Sequence, residues 1–150
     1  MVARFTSIEQ MAGKYTFPSV KHPQCREVMQ PEFVEFVEGE SITYRFPVLD
    51  MYANPRNSMQ GGFIGAAFDN TFGGLVYLST GKLEMASIDM YLNYHRPIFV
   101  GDYLYIKAML KSKGRTVVHM LGEAWDGKNR LVATATTNIM LLGNQYEQLK

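Results

Sequence analysis

The sequence is short of several things, and each shortage excludes a class of protein. It holds one cysteine, Cys25, in 150 residues, so no disulfide can form within the chain and a reducing, cytoplasmic setting is expected. Lys and Arg number 15 and Asp and Glu 14, a net charge of +1, which leaves no electrostatic footprint for nucleic acid or an anionic membrane. The N-terminal "MVARFTSIEQMAGKYTF" lacks the continuous apolar core and cleavage site of a signal peptide. The most apolar stretch, residues 63–78, is too short to span a bilayer and is interrupted by Asp69 and Asn70. No Gly-x-Ser-x-Gly occurs, which argues against a serine hydrolase. His22, His95 and His119 are scattered without metal-ligand spacing, and Cys25 has no paired histidine. Neither a metal site nor a cysteine nucleophile is expected.

What remains is a chain with 47% hydrophobic and 19% charged residues, the composition of one globular domain. Residues 1–31 read as an irregular lead-in, broken by Pro18, Pro23 and Pro31, and are expected to pack on the domain at 32–150. Within it "TSIEQMAG" predicts a short helix capped by Ser7, with Gln10 three residues on. From "GESITYRFPVLD" onward, Ile42, Tyr44 and Phe46 alternate with polar residues, as in a half-buried strand. After the loop "MYANPRNSMQ" comes a helix over 63–78, then four alternating runs joined by "RPIFVGD", "KSKG" and "DGKN". In the first run Ala86, Ile88, Met90, Leu92 and Tyr94 face one way, and Ser87, Asp89, Tyr91, Asn93 and His95 the other. Short turns make neighbouring strands antiparallel. A helix apolar on nearly every side must be surrounded. The α+β solution is a curved antiparallel sheet wrapped around a long central helix, the hotdog architecture. An open sheet with the helix on one face is the runner-up, and it would leave Phe72, Leu75 or Tyr77 uncovered.

Within that helix Gly61, Gly65, Asp69 and Gly73 recur at intervals of four and so share one slowly drifting face. Glycine costs a helix about 1 kcal/mol against alanine. A stripe of it predicts a close approach to the backbone, by a substrate or by the same helix of a second chain. The plainer alternatives are a permissive helix entrance, glycines that serve packing, and an Asp69 that is merely exposed or paired.

The run "NPRNSMQGGFIGAAFDNTFGG", followed by "ASIDMYLNYHRPIFVGDYL" and "KGRTVVHMLGEAWDGKNRLVATATT", resembles the PaaI-type acyl-CoA thioesterases of the hotdog superfamily over about residues 40–140. The resemblance implies hydrolysis of an acyl-CoA thioester to a carboxylic acid and coenzyme A, with no cofactor and no covalent intermediate. It implies that Asp69 activates or orients the attacking water and that Ser87 helps place it. The Gly61 N–H would polarise the thioester carbonyl, beside Gly62 against the substrate, and Asn54 would help hold the carbonyl or the water. The family's usual histidine before Gly-Gly is Gln60 here, which cannot titrate near neutrality. Lys113 and Arg115, in "KSKGRT", are a solvated hairpin tip or a contact to coenzyme A phosphates. Met59, Met85 and Met90 suit an irregular core or an adaptable acyl pocket. Gly61 and Asp69 lie eight residues apart, about 12 Å along a helix, so one chain does not easily bring both to one carbonyl. A homodimer or homotetramer with antiparallel helices would, as in the family, whose sites lie between chains. A non-catalytic acyl-CoA-binding or regulatory protein is the rival reading. A dehydratase is disfavoured, because no His-Asp or His-Glu pair is placed for proton transfer at carbon.

Overall fold

The computed structural model describes residues 1–16 and 23–143; Pro18 and His22 lie outside them. Seven strands form one antiparallel sheet in the order β1-β2-β3-β5-β6-β7-β4. These are β1 (Arg4–Phe5), β2 (Glu32–Val37), β3 (Ser41–Pro47), β4 (Met85–Tyr94), β5 (Tyr103–Lys113), β6 (Val117–Trp125) and β7 (Leu131–Leu141). The helices are α1 (Ile8–Met11), α2 (Gln24–Met29) and the long α3 (Gly61–Thr80). This is the hotdog fold.

The helix runs two residues further at each end than the apolar pattern predicts. Its entrance is the Gly61–Gly62 pair, and its end is set by Gly81, whose left-handed φ of +70° lets its N–H bond the Tyr77 carbonyl. Phe68, Phe72 and Leu75 are fully buried against Ile42, Phe46, Ile106 and Met120 from the sheet. Gly122 of β6 makes room for this contact. A Cβ there would stand 2.8 Å from the Phe68 and Phe72 rings. The exposure expected of an open sheet is not seen, since Phe72 and Leu75 are fully buried and Tyr77 is half-buried, and the lead-in packs on the helix's other side. Met29 Sδ meets the Asn70 amide at 3.6 Å, and the Tyr77 hydroxyl donates to the Thr16 carbonyl at 2.6 Å.

That lead-in is less irregular than expected. Ser7 caps α1 by accepting from the Gln10 N–H, as its sequence predicts. β1 pairs with β2, and the run "EFVEFV" of β2, which the sequence reading passed over, pairs with β3. Two residues of strand are too few for a periodic signal.

The strands after the helix need a second correction. β5, β6 and β7 follow one another as hairpins, but β4 pairs with β7, and β3 takes the place beside β5. The "RPIFVGD" link is therefore a crossover. Its backbone bonds the 48–59 segment, with Met59 N–H to the Ile98 carbonyl at 2.8 Å and Gly101 N–H to the Val48 carbonyl at 3.0 Å. β4 is left as an edge strand.

Candidate active site

The site begins where α3 begins. Gln60 precedes the helix, and its carbonyl accepts from the Phe63 and Ile64 N–H groups at 3.0 and 3.4 Å. The Gly61 and Gly62 N–H groups have no acceptor among the described residues. Free donors at the positive end of a 20-residue helix dipole favour a partial or full negative charge. The exposed Gln60 side chain lies along this entrance. Its Oε1 would stand 2.9 Å from a Cβ on residue 62, so Gly62 must stay bare for that amide to lie there.

Asp69 is exposed, two turns further along the same helix. It is not in the core of its own chain, and its one partner among the described residues is the Ser87 hydroxyl, which donates to Oδ1 at 3.2 Å. Strict alternation along β4 would turn Ser87 away from the helix. A β-bulge between Ser87 and Asp89 leaves Ile88 as the extra residue and changes the phase. Ser87, Met90, Leu92 and Tyr94 therefore all meet α3, whereas Asp89 accepts from the Asn138 backbone and side-chain amides.

The glycine stripe is met by this same strand. A Cβ on Gly61 would stand 2.9 Å from the Tyr94 ring, and one on Gly65 3.1 Å from Leu92 Cδ1. Only Gly73 has open space beside it. The close approach inferred from the stripe is thus, at Gly61 and Gly65, an approach within one chain.

Asn54 organises the preceding loop. Its Oδ1 accepts from the Arg56 N–H, the Ser58 N–H and the Ser58 hydroxyl at 3.0, 3.2 and 3.1 Å. Only its amide N–H groups remain for a ligand. Lys113 and Arg115 do not join Gly61 and Asp69 within the chain. Lys113 Nζ donates to the Ser79 carbonyl near the far end of α3 at 3.2 Å, and Arg115 is exposed on the β5–β6 turn.

An open pocket of about 400 Å³ lies at the helix entrance, between Met59, Gly61, Ile64, Tyr94, His95, Arg96 and Pro97. Sequence reasoning picked out Met59 and Gly61, gave Tyr94 and Arg96 no role, and weighed His95 only as a metal ligand. They stand together in the quoted "NYHRP", yet nothing in that order says that the turn after β4 closes over the start of α3. His95 Nε2 lies 2.9 Å from the Thr134 hydroxyl, and His119 Nδ1 2.8 Å from Asn138 Oδ1. No helix among the described residues is long and apolar enough to cross a membrane.

The free donors, the carboxylate with its hydroxyl and the pocket can be set beside known proteins. The family model of the thioesterase superfamily matches residues 57–133, a span that holds all three. The E. coli PaaI protein of the phenylacetic acid degradation operon superposes with a TM-score of 0.73 at 17% identity, covering 90% of each chain. A phenylacetic acid degradation-related protein of Ralstonia eutropha gives 0.71 at 28% identity, over 81% of this chain and 92% of its own. A Streptococcus mutans protein bound to acetyl-CoA gives 0.68 at 26% identity, over 75% and 88%. No curated protein sequence matches the chain. The matched span runs from the loop before α3 through that helix to the start of β7, more than half of the chain, so this protein belongs to the thioesterase superfamily, with the hotdog fold it shares with the PaaI protein.

Proposed function

We propose that this protein hydrolyses an acyl-CoA thioester, with water activated by Asp69. Water adds to the carbonyl carbon while Asp69 takes its proton, and the negative charge collects on the carbonyl oxygen. Collapse breaks the C–S bond, releasing the carboxylic acid and the coenzyme A thiolate, which is protonated on leaving. The free N–H groups at Gly61 and Gly62 hold the oxyanion, an effect worth ~3 kcal/mol per donor. Ser87 holds Asp69 and the water, the Asn54 amide faces the carbonyl, and Gln60 lines the entrance. The observation that carries this reading is the exposed Asp69–Ser87 pair on the helix whose entrance leaves two donors unused.

Donors and carboxylate stand about 12 Å apart along α3, so the working site takes one from each of two chains. The free edge of β4 supports this reading. Because α3 runs antiparallel beneath β4, with Gly61 under Tyr94 and Asp69 under Ser87, two copies joined β4 to β4 would lay their helices side by side and antiparallel. Centred near Gly65, that pairing sets Gly61 of one chain beside the other's Asp69. The chain that gives Asp69 also gives Lys113, whose contact at Ser79 is ten residues on, about 15 Å. A coenzyme A phosphate reaching that way would meet Lys113 and Arg115. The acetyl-CoA bound by the Streptococcus mutans relative supports this class of ligand.

Gln60 favours a second reading, a protein that binds acyl-CoA without hydrolysing it, since no titrating group stands at that place. A screen across short, long and aromatic acyl-CoA esters separates the two. Release of free coenzyme A supports the enzyme; saturable binding of every ester without release leaves the binder.

A further inference from the structure

No motif singles out Tyr94, yet its contacts at the helix entrance are specific. Its ring takes the space a side chain on residue 61 would need, with Cζ 2.9 Å from that Cβ position. Its hydroxyl donates to the Gly61 carbonyl at 2.8 Å. The residue is 54% exposed on the wall of the pocket. Water could serve that hydroxyl, so the fold does not require the bond to Gly61. The carbonyl it holds belongs to the Gly61–Gly62 peptide, and the N–H of that peptide is the free donor of Gly62. Two adjacent glycines leave such a peptide the widest freedom to turn. Within α3 that carbonyl takes the helical bond of the N–H four residues on, and the Tyr94 hydroxyl adds a second hydrogen bond that restrains the peptide further. It also polarises the amide, strengthening its N–H as a donor by about 10–30%.

We infer that Tyr94 is a positioning residue for thioester hydrolysis: through the Gly61 carbonyl it fixes and polarises the peptide whose N–H holds the oxyanion. This rests on the thioesterase reading above and adds a residue to it. The full charge on that oxygen exists only after water has added, so the contribution belongs to kcat and not to KM.

The test is Tyr94→Phe, which keeps the ring and removes the hydroxyl. Turnover is measured on the acyl-CoA that the wild type hydrolyses best. Two inert ligands are titrated into both proteins. One is a trifluoromethyl ketone analogue of acyl-CoA, which presents a tetrahedral oxyanion mimic; the other is an S-alkyl-CoA thioether without a carbonyl. The expected result is a kcat lower by about two- to fivefold, with KM and the thermal midpoint unchanged. The ketone should bind weaker by a similar factor and the thioether as before. Wild-type kcat and ketone affinity in Tyr94→Phe overturn the role of Tyr94 and leave the thioesterase reading standing. Equal weakening of both ligands also overturns it, since Tyr94 would then serve binding alone. A wild type that neither hydrolyses any acyl-CoA nor binds either ligand overturns the thioesterase reading, and this inference with it.

Discussion

Asp126, at the β6–β7 hairpin, and Asp69, in the middle of α3, are both carboxylates, yet the chain treats them in opposite ways. Asp126 is 2% exposed, and both its oxygens are taken. They accept from the Lys128 and Arg130 N–H groups at 2.9 and 3.0 Å and from Arg130 Nε at 2.7 Å. Burial pushes the Asp126 carboxyl up, but those hydrogen bonds and the Arg130 charge outweigh it and hold the group below its ordinary range. Asp102 joins the same knot by accepting from the Gly127 N–H at 3.1 Å. Asp69 is exposed and has one hydroxyl partner. A carboxylate whose oxygens are all used contributes to the fold. One with lone pairs to spare on a helix face can act on something else.

The change with the largest expected effect is Asp69→Asn. It should lower thioester hydrolysis at least about a hundredfold, the scale of a lost general base, while the thermal midpoint and oligomeric state stay as in the wild type. Undiminished turnover with intact folding would remove Asp69 from the mechanism.

Tyr91→Asp leaves Asp69 untouched and separates the chains instead. Tyr91 is exposed on the β4 edge, near the two-fold axis of the proposed pairing, so the new charge would face its own copy. Sedimentation should show folded monomers, and activity should fall with the dimer fraction. Full activity in a proven monomer would mean that one chain holds a complete site.

Asp126→Asn is the mirror experiment. Stability at neutral pH should fall by about 2 kcal/mol, with turnover per folded molecule retained. Because its folded pKa is lowered, the stability Asp126 adds is present above the unfolded value of about 3.9. It is lost as pH falls through the lower folded value. Acid unfolding curves of wild type and variant should therefore converge below about pH 4. A constant gap between them would assign the loss to packing.

Gln60→His has the smallest expected effect. Activity should be kept or raised by a few-fold, with a second titration near ~6.5 in the pH–rate profile. Loss on every acyl-CoA with folding intact would show that Gln60 has a catalytic role of its own.

Much of the candidate site was legible because it sits on one helix of regular pitch. The Gly61–Gly62 entrance and the face that Asp69 shares with Gly61 and Gly65 follow from spacing, whereas the role of Asp69 came from the family pattern. Ser87 was legible only through the family pattern, since alternation along β4 sends it to the wrong face until the bulge at Ile88 restores it. The glycine stripe was recognised as a close approach, but what approaches Gly61 and Gly65 is Tyr94 and Leu92 of the same chain. Spacing records that room is needed and not who takes it.

By itself the sequence determined a long buried helix, a strand before it and alternating strands after it, because periods of 3.6 and 2 are local properties. That the unpaired donors of the helix entrance fall at Gly61 and Gly62 came from the structure, which starts α3 two residues before the apolar pattern does. Only the tertiary structure decided that β4 crosses to the far edge beside β7, that the lead-in covers the back of α3, and that Tyr94 closes on the Gly61 carbonyl. Each of these joins residues far apart in the chain. Such contacts are chosen by competition among all surfaces for burial and hydrogen bonds, and no window of the sequence contains that competition.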